Sequence, residues 1–278
     1  MIKLIALDMD GTTLSPDNEI TAANRQAILA AQEQRIEVVI STGRSNTELV
    51  PILKQFPEIR YFICGNGSKI YDKELQKNIY EKPLSLELAR TFLTHCAGQP
   101  VMPEVYANDK IYTLRFFYDN FSRFIDSSYA YITELIHQSR TPVDNLQTLL
   151  NEWNRPVEKL NIFFREQATG EQLFTYFSAY DVCLTGSLTN NIEVGNAAAS
   201  KGSALSWLAD RLLLDASQVM AIGDADNDIS MLNYADCSVA MGNAIPTVIQ
   251  AARYQTLTNQ ESGVAAAIKK YALRRELA

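Results

Sequence analysis

The chain is 278 residues long, with 47% hydrophobic residues, 21% charged residues and a formal net charge of −7 at pH 7. This length and composition exclude bulk disorder and are typical of one or two domains with a sizeable core. The acidic balance excludes broad nucleic-acid binding, which needs a basic surface, but it allows a local site for a small anion.

Neither a secretory leader nor a membrane span is predicted. The N-terminus carries only four consecutive apolar residues before Asp8, whereas a membrane span needs about 20. The four cysteines are widely separated and form no CxxC pair, so we expect reduced thiols and a cytoplasmic location. We interpret His95 and His137, both in predicted helices, as ordinary surface or core residues.

The N-terminal part of the chain alternates predicted strands and helices. Residues 2–8, IKLIALD, are mostly apolar and show no alternation, as in a parallel strand buried on both faces. Residues 21–35 predict a helix with Thr21 as its N-cap, and residues 37–42 and 60–64 predict two further strands. This order, with short connections, predicts a right-handed parallel sheet.

Between the second and third strands, Ser45 and Glu48 form a capping box that predicts another helix, which Pro51 would bend. The C-terminal part repeats the alternating pattern and ends in a helix that begins near Gly263. Its other predicted elements are helices at 202–213, 227–234 and 244–252, and strands at 218–222, 237–240 and 254–258.

The middle of the chain, about 83–188, is rich in aromatic residues and breaks the alternation. We interpret it as a separate α+β module inserted into the first fold. Its predicted strands are 101–106, 110–118, 158–164 and 180–185, and its predicted helices are 85–97, 121–138, 145–152 and 170–178. The predicted fold class is therefore α/β, with a Rossmann-like parallel-sheet core and an inserted α+β domain.

Two aspartates, Asp8 and Asp10, follow the first strand and precede Gly11. Ligands of open α/β sheets bind at the carboxyl ends of the strands. Residues two apart project to the same side, so we expect both carboxylates in one site, where a cation would relieve their repulsion. An ordinary acidic turn after a strand is the alternative.

A second acidic cluster, Asp224, Asp226 and Asp228, follows another apolar strand. It is not an EF-hand loop, because Ile229 and Ala235 occupy the positions that require Gly and Glu. The cluster would supply a second acidic edge to the same site. We interpret Asp226 as an exposed acid at a helix start, where the helix dipole favours it.

Two shorter motifs could hold phosphate. Thr42 and Gly43 end the second strand before a helix, and a hydroxyl beside a glycine amide suits phosphate oxygens. Lys201 opens another helix and could hold a phosphoryl oxygen, although a lone Lys at this position is more often solvated. Arg44 is more simply an ion-pair partner. Hard oxygen ligands beside phosphate suit Mg²⁺, so the combination favours metal-assisted phosphoryl transfer.

The motifs DMDGTT, STGR, SKG and GDADND, in this order, resemble the four motifs of the haloacid dehalogenase superfamily. Their spacing, the insert between the second and third motifs, NGSKIYD at 66–72 and MGNA at 241–244 resemble its Cof-type phosphatases, of type IIB with a C2 cap. The stretch VGNAAAS before Lys201 departs from the usual proline-containing form. The resemblance implies a hydrolase core in 1–82 and 189–278 and a cap in 83–188.

The resemblance also implies catalytic roles. Asp8 would be the nucleophile that forms an aspartyl-phosphate, and Asp10 would be the general acid and base. Mg²⁺ would be held by Asp8, the backbone carbonyl of Asp10 and Asp224. Asp228 would orient metal-bound water or Lys201.

The phosphoryl oxygens would be held by Thr42, the Gly43 amide, Lys201, Asn227 and the Met9 amide. The implied function is Mg²⁺-dependent hydrolysis of small phosphorylated metabolites such as sugar phosphates, with no nucleic-acid, membrane or obligate protein partner. A phosphomutase of the same superfamily and a non-catalytic sensor of a phosphorylated ligand are the alternatives.

Overall fold

A computed structural model describes residues 1–45, 56–108, 110–121, 137–186 and 189–273. The chain divides into two units: the first comprises Met1–Gly43, Leu53–Tyr80 and Ser200–Ala278, and the second comprises Arg44–Ile52 and Glu81–Ala199. The helix predicted from Ser45, with its bend at Pro51, lies outside the described residues, as does most of the helix predicted at 121–138.

The described strands and helices alternate through much of the chain. The strands are β1 (Leu4–Leu7), β2 (Glu37–Ser41), β3 (Tyr61–Cys64), β4 (Lys69–Asp72), β5 (Lys77–Glu81), β6 (Val101–Ala107), β7 (Lys110–Leu114), β8 (Arg140–Val143), β9 (Lys159–Phe164), β10 (Val182–Thr185), β11 (Asn191–Asn196), β12 (Val219–Gly223), β13 (Cys237–Ala240) and β14 (Tyr254–Gln255). The helices are α1 (Ala22–Glu33), α2 (Leu86–Cys96), α3 (Arg115–Asp119), α4 (Leu146–Trp153), α5 (Gln167–Phe177), α6 (Lys201–Arg211), α7 (Ile229–Tyr234), α8 (Pro246–Ala251) and α9 (Gly263–Ala267).

The first unit is built on a sheet of strand order β14-β13-β12-β1-β2-β3-β4-β5. The strands from β14 to β3 pair in parallel, whereas β4 is antiparallel to β3. β1 lies at the centre, with Leu4 paired to Val219 on one side and to Glu37 on the other. Its four residues are fully buried, as expected for a continuously apolar strand covered on both faces.

The predicted cap of α1 is confirmed. The Oγ1 atom of Thr21 accepts a hydrogen bond of 3.2 Å from the amide of Asn24, which satisfies an amide that the first helical turn leaves unpaired. The hairpin of β4 and β5 was not predicted, because residues 69–81 carry many charged and polar side chains and lack an apolar run.

The second unit is built on a mostly antiparallel sheet of strand order β10-β11-β9-β6-β7-β8. One face is apolar: Val105 and Ile162 belong to a core that also includes Phe92 of α2, Leu150 of α4 and Leu173 of α5. This arrangement is the predicted α+β module, and the two units together confirm the predicted α/β fold class.

The opposite face of the second sheet carries charged and amide side chains that are also buried. Arg140 donates two hydrogen bonds to the carboxylate of Glu104, of 2.9 and 3.1 Å, and Asn161 donates a third, of 3.2 Å. Buried charges of this kind persist only when they are paired.

The predicted module differs from the structure at several points, and strands β8 and β11 were not predicted. The strand predicted at 110–118 ends at Leu114, and α3 follows it. The sequence placed the end of the module at 188, whereas the second unit continues to Ala199. The reason is β11, in which Ile192 pairs with Ile162 of β9 in the second sheet.

Two general expectations can be compared with the described residues. All four cysteines lie among them, and each is a free thiol. In the described ranges, every helix is too short or too polar to cross a bilayer.

Candidate active site

The end of β1 begins the site. The amide of Asp8 donates a 3.1 Å hydrogen bond to the carbonyl of Ile222 on β12, and the side chain of Asp8 is almost fully buried. The chain then turns sharply at Gly11, whose φ is +77°, a conformation that glycine adopts without strain. A Cβ atom at Gly11 would overlap the carboxylate of Asp224, so this glycine is needed for space as well as for conformation.

Three carboxylates meet beside this turn. Oxygen atoms of Asp8, Asp224 and Asp228 all lie within 4.8 Å of one another. They converge because β1 and β12 are parallel neighbours whose carboxyl ends share one edge of the sheet. Asp228 is held by two amides of its own loop, since its Oδ2 accepts from Asp224 at 2.8 Å and from Ala225 at 3.0 Å.

Lys201 lies among these carboxylates. Its Nζ atom donates hydrogen bonds of 2.6 Å to Oδ1 of Asp8 and 2.6 Å to Oδ1 of Asp228, and the side chain is fully buried. The expectation that a lone Lys at a helix start is solvated was therefore wrong. The physical reason is that two buried carboxylates offset the cost of removing the ammonium from water.

The acidic groups still outnumber the cation. Burial, followed by repulsion from Asp228, raises the pKa of Asp8 well above its ordinary value. Burial also raises the pKa of Asp224 to about 6. Burial alone would lower the pKa of Lys201, but Asp228 and Asp8 outweigh it and raise that pKa.

A divalent cation fits this donor set. Two closely spaced carboxyls with raised pKa values would ionise more readily beside a further positive charge. Carboxylate oxygens are the ligands that Mg²⁺ prefers, commonly one or two together with water and phosphate. Asp8 and Asp224 supply such oxygens, and Thr12 orients Asp224 through a 2.6 Å hydrogen bond from its Oγ1 to Oδ1.

Asp10 differs from Asp8 in its environment. Its side chain is exposed, and among the described residues it is not part of the carboxylate cluster. It still lies close enough for its charge to raise the pKa of Asp224. The two aspartates do not share one environment because the backbone after Asp8 enters an irregular turn and does not continue as a strand. The side chain of Met9 packs in the core, fully buried.

The predicted phosphate-binding groups of the second and fourth motifs meet at Asn66. The Nδ2 atom of Asn227 donates a 3.1 Å hydrogen bond to Oδ1 of Asn66, and the amide of Asn66 donates one of 3.1 Å to the carbonyl of Thr42. A Cβ atom at Gly43 would lie 2.9 Å from that same Oδ1. Asn66 entered the sequence analysis only as part of a resemblance, although Gly-Asn-Gly directly after a strand is a signal for a special turn.

Asp226 lies apart from the cluster of three carboxylates. Its side chain is exposed, and it accepts a 3.1 Å hydrogen bond from Oγ1 of Thr247 beside the start of α8. This environment matches its interpretation as a helix-start acid.

Comparisons with known proteins agree with this geometry. A family described as haloacid dehalogenase-like hydrolase matches residues 5–268. Phosphatase YwpJ of Bacillus subtilis is 32% identical, over 96% of this chain and 99% of its own length. The 5-amino-6-(5-phospho-D-ribitylamino)uracil phosphatase YcsE of the same organism is 30% identical, over 98% of this chain and 96% of its own. A solved haloacid dehalogenase-like hydrolase from B. subtilis has a TM-score of 0.87 at 29% identity, covering 97% of this chain and all of the other.

Proposed function

The chain belongs to the haloacid dehalogenase-like hydrolase family, and from this membership we propose that it is a Mg²⁺-dependent phosphatase of small phosphorylated metabolites. The reaction would pass through an aspartyl-phosphate on Asp8. The single observation that carries the proposal is the buried cluster in which Lys201 bridges Asp8 and Asp228 while Asp224 lies beside them.

In this mechanism Asp8 is the nucleophile. One of its carboxylate oxygens attacks phosphorus, the bond from phosphorus to the ester oxygen breaks, and Asp10 gives its proton to the departing alcohol. Asp10 then takes a proton from a water molecule, which attacks phosphorus and releases inorganic phosphate and free Asp8. The side chain of Asp10 is exposed, which leaves it accessible to a leaving alcohol and to the water molecule that restores its proton.

Asp8, Asp224 and the backbone carbonyl of Asp10 would hold Mg²⁺. The bound ion would neutralise charge on the carboxylates and polarise the phosphoryl group. Asp228 orients Lys201 and the loop that carries Asp224, since it binds the first through Oδ1 and the amide of the second through Oδ2.

The phosphoryl oxygens would be bound by donors from four separate parts of the chain. Lys201 contributes an ammonium, Thr42 a hydroxyl, Asn227 a side-chain amide, and Gly43 and Met9 backbone amides. Fixed donors of this kind stabilise the charge that develops on a transferring phosphoryl group without reorganisation during the reaction.

Small phosphorylated metabolites are the proposed substrates. One relative is named a phosphatase of 5-amino-6-(5-phospho-D-ribitylamino)uracil, and another, from Escherichia fergusonii, is named an HMP-PP phosphatase. We propose that the second unit, as the inserted cap, selects among such substrates, because the phosphate chemistry is assigned entirely to residues of the first unit.

The test is release of inorganic phosphate from an aryl phosphate and from a panel of phosphorylated metabolites, with Mg²⁺ and with excess chelator. We expect turnover that needs Mg²⁺, is lost in Asp8→Asn, and persists in Asp226→Asn, a control that removes a nearby exposed carboxylate. Full activity in chelator, or in Asp8→Asn, contradicts the proposal. An isomerised phosphorylated product in place of free phosphate would indicate a phosphomutase.

A further inference from the structure

We propose that Asn66 is a positioning residue, which holds Asn227 and the Thr42–Gly43 loop in the arrangement that binds phosphoryl oxygens. Asn66 touches no reacting atom in this proposal and acts through its neighbours. The inference rests on the proposed phosphatase function, because that function assigns the phosphoryl oxygens to Thr42, Gly43 and Asn227.

The backbone around Asn66 is unusual. Gly65, Asn66 and Gly67 have φ values of +55°, +55° and +89°, so three consecutive residues lie in the left-handed region. Single residues commonly adopt this conformation, but runs of them are unfavourable for L-amino acids. Asn is among the non-glycine residues that tolerate it best. A strained conformation persists only where the surrounding structure compensates for it, and such conformations cluster at functional sites.

The turn packs closely against two motif loops. A Cβ atom at Gly67 would overlap the carbonyl of Ser200, the residue that precedes Lys201. In the same turn, the backbone amide of Asn66 donates a hydrogen bond to the carbonyl of Thr42, and the side-chain Oδ1 of Asn66 lies against Gly43. The turn therefore lies against the loops that carry the second and third motifs.

The side chain of Asn66 extends the contact to the fourth motif. It is 8% exposed, and its Oδ1 accepts the 3.1 Å hydrogen bond from Nδ2 of Asn227. Turning the Asn227 amide over would place two oxygen atoms against each other, so this acceptor decides which end of that amide faces Asn66. An amide nitrogen carries two hydrogens, and the second can then donate to a phosphoryl oxygen.

The bond also explains an otherwise unfavourable feature of Asn227. Its Oδ1 is buried and makes no hydrogen bond to the described residues, which costs free energy. Turning the amide over would not remove this cost, because the oxygen would then lie against Oδ1 of Asn66. A buried polar group without a partner calls for an explanation in a native structure, and holding a neighbouring group for function is one such explanation.

The decisive variant is Asn66→Gly. Glycine adopts positive φ without strain, so the turn is retained while the acceptor for Asn227 is lost. Asn18→Gly is the matched control, because Asn18 also has a positive φ, of +60°, but its side chain is exposed. The experiment compares four proteins with the wild type: these two variants, Asn227→Ala, and the double variant Asn66→Gly/Asn227→Ala. For each protein we measure thermal melting, the Kd for inorganic phosphate in MgCl₂, and kcat and KM for an aryl phosphate.

We expect Asn66→Gly to raise the Kd for phosphate and KM by about tenfold, as for one lost hydrogen bond to a ligand-binding group. Its kcat should change less than KM, because ground state and transition state lose the same contact. In the Asn227→Ala background the same change should cost less than about threefold, since the group that it positions is already absent. Asn18→Gly should bind and turn over like the wild type.

Two results would overturn the positioning role: wild-type phosphate affinity in Asn66→Gly, or penalties of Asn66→Gly and Asn227→Ala that multiply in full. A fall in melting temperature with an unchanged Kd would assign Asn66 to stability alone and also overturn it. The proposed function fails separately, if the wild type binds phosphate, loses affinity in Asn66→Gly and yet releases no phosphate from any ester. A wild type that neither binds phosphate nor hydrolyses esters overturns both.

Discussion

The Nζ atom of Lys201 lies 2.6 Å from Oδ1 of Asp8, although the two residues are 193 positions apart in the chain. Lys201 is the first residue of α6, which Ser200 caps by accepting a 3.0 Å hydrogen bond from the amide of Ser203. The capped helix start therefore delivers one buried cation to the carboxyl end of β1, where Asp228 binds it as well.

Replacing Lys201 should damage stability and catalysis together. Lys201→Met leaves the buried carboxylates of Asp8 and Asp228 without their cation, at a cost of about 3–5 kcal/mol for a broken buried pair. We expect kcat/KM to fall by at least about 100-fold, as when a fixed donor to a developing charge is removed. Urea unfolding and phosphate release measure the two effects.

The control for this variant is Lys159→Met. Lys159 is also buried and bound to a carboxylate, Glu193, at 2.8 Å, but in the second unit. Lys159→Met should lower the free energy of unfolding by a similar amount, while phosphate release should still depend on Mg²⁺. Equal losses of kcat in the two variants would mean that Lys201 acts only through stability.

In the metal-free protein, Asp8 and Asp224 should contribute less to stability as pH rises. A carboxyl whose pKa is higher in the folded than in the unfolded chain binds more protons when folded, so the free energy of unfolding falls with pH. For Asp224, whose pKa rises from 3.8 to about 6, this stabilisation is complete below about pH 4 and is lost as pH passes 6. Asp8 acts in the same direction. Melting temperature against pH measures the effect, expected to be about 3 °C or more.

Two changes should alter that pH profile. Saturating Mg²⁺ binds the ionised carboxylates, so it should raise the melting temperature most at neutral pH. Asp224→Asn should flatten the slope between pH 4 and 6 and weaken the effect of Mg²⁺. The same dependence of melting temperature on pH in metal-free Asp224→Asn and metal-free wild type would contradict the assignment.

Asp10→Asn should separate good from poor leaving groups. An alkyl phosphate needs its departing oxygen protonated, whereas nitrophenolate leaves readily without a proton. We expect a loss of about 100-fold or more with alkyl phosphates and a smaller loss with nitrophenyl phosphate. The shift in melting temperature caused by Mg²⁺ should persist, because the backbone carbonyl remains. Equal losses with both substrates would rule out general-acid catalysis by Asp10.

Gly11→Ala should weaken metal binding beyond its effect on the backbone. Gly11 has a φ of +77°, and a Cβ atom there would overlap Asp224. Gly98 offers a matched control, since its φ is +78° and a Cβ atom there would meet nothing within 4 Å. Both variants should lose stability by about 1–2 kcal/mol for the strained backbone. Only Gly11→Ala should raise the Mg²⁺ concentration needed for half-maximal activity, which titration of phosphate release would measure.

Much of the first unit could be predicted from local sequence. The apolar run of β1, the cap at Thr21 and the acidic motifs directly after β1 and β12 are local patterns, and parallel strands bring such motifs to one edge. The strands β4, β5, β8 and β11 were missed, because they are short, rich in polar residues and contain no long apolar run. They are recognisable only from their pairing partners.

The sequence by itself determined the α/β fold class, the order of the motifs and the position of acidic motifs directly after β1 and β12. The tertiary structure alone decided that Lys201 is buried between Asp8 and Asp228, and that Asn66 connects Gly43 to Asn227. The physical reason is the distance along the chain over which each kind of interaction acts. Hydrophobic periodicity and helix caps act over a few residues, whereas the burial of a charge depends on partners that only the completed sheet brings within hydrogen-bond distance.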